Sequence, residues 1–78
     1  MKDRKQLETF ARNLRYLRRE RDMTLRELSR ALGIGKSTLN GYENAKNDPT
    51  LTMLKKIADY FGESVDWLVG YTNKRRGW

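Results

Sequence analysis

The stretch LRELSRALGIGKSTLNGYE, residues 25–43, breaks a helical pattern with two glycines, Gly33 and Gly35, and restarts it at once. Before the break, Leu25, Leu28 and Leu32 form an apolar stripe at helical spacing. Thr24 followed by Glu27 has the spacing of a capping box, which predicts a helix over residues 25–32. Gly33 then stands where a helix commonly ends in a left-handed turn, a conformation open to glycine at little cost. Ile34 is a lone apolar residue suited to plug the gap between two helices, and Gly35 serves as the next N-cap. A third helix is predicted over residues 36–44, with Leu39 and Tyr42 facing inward. Two helices joined through so short a turn must cross steeply. They need a small residue at the contact and a shared apolar wedge.

The rest of the chain reads as helices packed around that unit. Residues 6–21 carry Leu7, Phe10, Ala11, Leu14 and Leu17 on one face, with Arg18 at its border. Asn44-Ala45-Lys46-Asn47-Asp48-Pro49 is a loop by its turn residues. A fourth helix starts near Thr50, presents Leu51, Leu54, Ile57, Ala58 and Phe61 to the core, and ends at Gly62. Ser64 caps a short fifth helix with Val65, Trp67, Leu68 and Val69, closed by Gly70. The expected fold is a compact all-α domain of five helices over residues 1–71, followed by a flexible basic tail over 72–78.

A chain of 78 residues holds one domain near the lower limit for a core without staples. With no cysteine and no histidine, disulfides and Cys/His zinc sites are excluded. The commonest general base and the strongest nucleophile are absent with them. No acidic pair, phosphate-binding loop or metal-ligand cluster stands out, so neither catalysis nor a cofactor nor a small-molecule substrate is expected. No apolar run reaches a membrane span's length and no signal peptide is legible, so the expected location is the cytoplasm, away from membranes. The net charge of +7 and a pI near 10.1 favour a polyanionic partner.

Residues 25–42 resemble the helix-turn-helix of the phage repressor and Cro-like family, also called the XRE family. Leu28, Ser29, Leu32, Gly33, Ile34, Leu39 and Tyr42 occupy that family's positions. The likeness extends through the Tyr42-Glu43-Asn44 exit, the loop ending in Pro49, LTMLKKIADYFG and SVDWLVG, and covers residues 7–70. It implies a lambda-repressor-like fold and a sequence-specific regulator of transcription, a repressor that binds double-stranded operator DNA as a homodimer. The alternative is an antitoxin or protein-interaction adaptor using the same fold, and a basic RNA-binding module is a further one. The proposed reading face carries no aromatic for stacking single-stranded bases, which counts against RNA.

The resemblance makes the third helix the reader of the major groove. Lys36, Ser37, Thr38, Asn40 and Gly41 then lie on or near its exposed face, with Gly35 at its start. Lys36 suits guanine or a phosphate, and Ser37 and Asn40 are short hydrogen-bonding groups, Asn being suited to adenine. Gly41 replaces a residue that is often long and polar in the family. Its glycine fits close approach of the helix backbone to DNA, or else simple tolerance or close contact with another helix. Asn44 and Lys46 are expected on the sugar-phosphate backbone, with Thr24 and Arg26 at the start of the second helix. The family often has Gln at the position of Leu25, and Arg26 takes over part of that role. The resemblance also implies a structural pair between Arg18 and Glu43, and a dimer contact at Trp67, Val69 and Tyr71; the other role open to this end region is to cap the small core, with Leu68 inward and some of the others partly exposed. Trp78 and the run Lys74-Arg75-Arg76 either add phosphate attraction or merely keep the tail soluble.

Overall fold

The computed structural model describes residues 3–76, so Trp78 lies outside the described residues. The helices are α1 (Arg4–Glu20), α2 (Leu25–Leu32), α3 (Lys36–Glu43), α4 (Leu51–Phe61) and α5 (Val65–Leu68), and no strand occurs among the described residues. The first helix starts two residues earlier than its apolar pattern suggests. Asp3 caps it, its carboxylate accepting from the Lys5 amide at 2.9 Å.

The local signals act as written. Thr24 and Glu27 form a complete capping box around the start of α2. Thr50 and Ser64 accept from the amides of Met53 and Trp67 at the starts of α4 and α5. Gly33 and Gly62 sit at φ +68° and +70°, the left-handed region in which glycine is favoured. At each, two amides turn back onto the last turn of the helix, Gly33 and Ile34 onto Arg30 and Ser29, and Gly62 and Glu63 onto Asp59 and Ala58.

One core joins all five elements. Phe10, Leu14, Leu17, Leu28, Leu32, Leu39, Ile57 and Leu68 are fully buried. The Phe10 and Tyr42 rings meet edge-on at 5.8 Å, fixing α3 against α1. Ser29 is buried where α2 meets its neighbours, and its hydroxyl donates to the Arg26 carbonyl at 2.9 Å, so this small polar residue leaves no orphan group. Ile34 and Leu25 are half-buried against the core.

The structure departs from the expected picture at three places. Leu51 is 77% exposed, because it lies in the first turn of α4, ahead of the residues that meet the core. Trp67 and Val69 are buried with Leu68, so of the expected dimer residues only Tyr71 is exposed. The tail is docked through Arg76 instead of lying free. Arg75 bonds the buried Glu63 at 2.7 Å and Glu20 at 2.9 and 3.0 Å, and the Arg76 amide donates to Glu63 at 3.0 Å. The Arg75 guanidinium also lies over the rings of Tyr16 and Trp67, at 5.5 and 5.2 Å.

Candidate nucleic-acid interface

Helix α3 is held by its inner face. Leu39, Tyr42 and Glu43 are buried, and Arg18 from α1 grips the Glu43 carboxylate with two parallel bonds of 2.7 and 3.0 Å. The same guanidinium donates to the Met23 carbonyl at 2.8 Å, so one side chain ties the end of α1, the entry to α2 and the end of α3. The Glu43 hydrogen bond pushes the Arg18 pKa up, against the opposing effect of burial. The pair expected from Arg18 and Glu43 is thus present, and its geometry fixes how α3 sits.

With that face anchored, Ser37, Asn40, Gly41 and Asn44 recur at spacings of three and four on the opposite side. Lys36, Ser37, Thr38, Asn40 and Asn44 are exposed there, and Thr38 does not turn inward. The side chain of Asn44 donates to the Asn40 carbonyl at 2.8 Å and to Asn40 Oδ1 at 3.1 Å. These bonds tie the two side chains together on the outer face.

Gly41 is the exception on this face. It points outward by its position in the helix, yet it is buried. The carboxamide of Asn47 covers it: a Cβ on residue 41 would lie 2.7 Å from Asn47 Cγ and closer still to Nδ2. The close neighbour of this glycine is therefore the loop after α3, and not another helix. Nothing in the local sequence signalled Asn47.

The loop is drawn back by a turn in which Ala45 takes φ +57°, in the left-handed region usually given to glycine. The Ala45 amide donates to Tyr42 at 3.4 Å, and the amides of Lys46 and Asn47 both donate to the Gly41 carbonyl, at 2.9 and 3.3 Å. Arg4 of α1 donates to the Ala45 carbonyl at 3.2 Å, fixing the loop from the other side. Lys46 is therefore held exposed immediately beside the outward face.

At the start of α2, Arg26 is exposed, while the Thr24 hydroxyl is committed to the Glu27 amide. Gly35 begins α3 in an extended conformation with no side chain to close off the first amides. The exposed set therefore comprises Arg26, Lys36, Ser37, Thr38, Asn40, Asn44 and Lys46, with Thr24 and Gly35 at the two helix starts. Among the described residues, no helix is long and apolar enough to cross a membrane.

Comparison with known proteins agrees with this architecture. The helix-turn-helix family pattern matches residues 14–68. The chain is 34% identical over 64 residues to the HTH-type transcriptional regulator YobD of Bacillus subtilis, covering 82% of this chain and 57% of that protein. It is 35% identical over 60 residues to the cryptic phage CTXphi transcriptional repressor RstR of Vibrio cholerae, covering 77% and 54%. It is 34% identical over 53 residues to the HTH-type regulator MJ0272 of Methanocaldococcus jannaschii, covering 68% and 80%. The chain spans a little over half the length of the first two. The tight α2–α3 turn, the buried face of α3 and these matches place the chain in the Cro/C1-type (XRE) helix-turn-helix family.

Proposed function

We propose that the chain is a sequence-specific DNA-binding regulator of transcription, acting as a repressor through operator occupancy. The observation that carries this is the posture of α3, whose inner face is fixed by Arg18–Glu43 and whose outer face is a row of short polar groups flanked by Lys36 and Lys46. Such a helix enters a major groove, and its neighbours meet the phosphates that orient it. The net charge of +7 adds long-range attraction to the duplex. The names of YobD and RstR as a transcriptional regulator and a transcriptional repressor support the same reading.

The operator is bound by a two-fold dimer, reading half-sites about one helical turn apart. Exposed Tyr71, at the end of α5, is the surviving candidate for the contact between copies. The adaptor reading loses support because Trp67 and Val69, which would have formed its apolar patch, are used by the core.

Selection from a random duplex library tests the reading. The expected product is an inverted repeat, bound far more tightly than scrambled DNA. Enrichment without any sequence preference would overturn sequence reading and bring the adaptor forward. For the selected duplex, the logarithm of affinity should fall linearly with the logarithm of salt concentration. Lys46→Ala should make that slope shallower by about one unit, the share of a single neutralised phosphate, while leaving the preferred sequence unchanged.

A further inference from the structure

We propose that Asn47 supplies, from the loop, the outward side chain that Gly41 lacks, and that its carboxamide contacts a base edge in the major groove. The inference rests on the DNA-reading function above and names a further residue for it.

Position 41 is one turn beyond Ser37 and lies between Asn40 and Asn44 on the outer face of α3. Glycine brings no functional group there and is costly inside a helix. The space is nevertheless filled. The Asn47 side chain reaches back over the helix to the site a residue-41 side chain would start from, and residue 47 remains exposed.

This placement is built, not incidental. The left-handed turn at Ala45 reverses the chain, and the Asn47 amide reaches the Gly41 carbonyl at 3.3 Å, next to that of Lys46. Arg4 anchors the same turn through the Ala45 carbonyl. The consequence is a short surface. Ser37 and the Asn47 carboxamide both end close to the helix backbone, so α3 must lie deep in the groove for either to touch a base. A carboxamide at that depth offers both a donor and an acceptor, the pattern that pairs with adenine.

The test uses the whole chain in four forms: wild type, Asn47→Ala, Gly41→Ala and the double variant. A methyl at position 41 displaces the end of the Asn47 side chain, which is flexible, so the fold should survive. Alanine is also the better helix former, and thermal melting should show Gly41→Ala at least as stable as wild type. In library selection, Asn47→Ala should lose preference at one base pair in each half-site, with discrimination there falling about tenfold or more. Gly41→Ala should erase preference at the same base pair, and the double variant should lose nothing further. Wild-type preference retained at every position in Asn47→Ala overturns the assignment. So does a uniform fall in affinity with unchanged preference, which would make Asn47 a phosphate contact. A wild-type selection with no motif at all removes the DNA-reading function itself and the assignment with it.

Discussion

Arg18 touches three segments with one guanidinium, and its removal separates attraction from desolvation. Glu43 is 4% exposed, so Arg18→Ala leaves a carboxylate buried without its partner. The expected loss is about 3 kcal/mol in chemical denaturation, which is much of the stability of so small a domain. Replacing both residues by apolar ones of similar volume should cost far less, since a desolvated pair returns little net stability. That double variant should stay folded yet bind DNA less well if the pair's task is to hold the angle of α3. Arg18 was legible because it falls four residues after Leu14, at the margin of an apolar face. Glu63 was not. It sits between two well-marked helix ends, and the arginine that justifies its burial arrives twelve residues later. Asn47 was hidden for a related reason: what it fills is an absence at Gly41, which sequence shows only as a missing side chain.

At the level of helices, ends were easier to read than faces. Thr24–Glu27, Gly33, Thr50, Gly62 and Ser64 each act within a few residues of themselves, so their meaning survives without tertiary context. Thr24→Ala should cost about 1 kcal/mol by leaving the first turn of α2 uncapped, measurable as a lower midpoint of unfolding. Gly33→Ala should cost about 1–2 kcal/mol, because φ +68° brings any Cβ close to the backbone. Faces depend on what packs against them. Leu51 fits the spacing of the α4 stripe but lies ahead of the core, and the core takes Trp67 and Val69, whose spacing suits a partner equally well. At the exit of α3 the left-handed residue is Ala45, while the glycine in the helix before it packs against Asn47.

For the molecule as a whole, the docked tail links stability to pH. The hydrogen bond from Arg75 holds the Glu20 carboxyl below its ordinary pKa of 4.5. A carboxylate whose pKa is lowered by folding stabilises the folded state above its ordinary value, and that contribution fades as pH falls through the lowered one. Acidification through that lowered pKa should therefore release one arm of Arg75. The expected sign is movement of the Tyr16 and Trp67 ring resonances, which lie under the guanidinium, before global unfolding. An Arg75→Gln variant should lack that early transition.

The same clasp changes where this domain can be cut. The family match runs from residue 14 to residue 68, and turn chemistry places a natural stop at Gly70. A fragment trimmed to those limits would discard Leu7, Phe10 and Ala11 from one side of the core, and from the other the cation that neutralises a carboxylate already sealed inside. The packed core and its clasp thus extend beyond the recognisable motif at both ends. Fusions, labels and minimal binding reagents made from this chain should keep residues 3–76 intact.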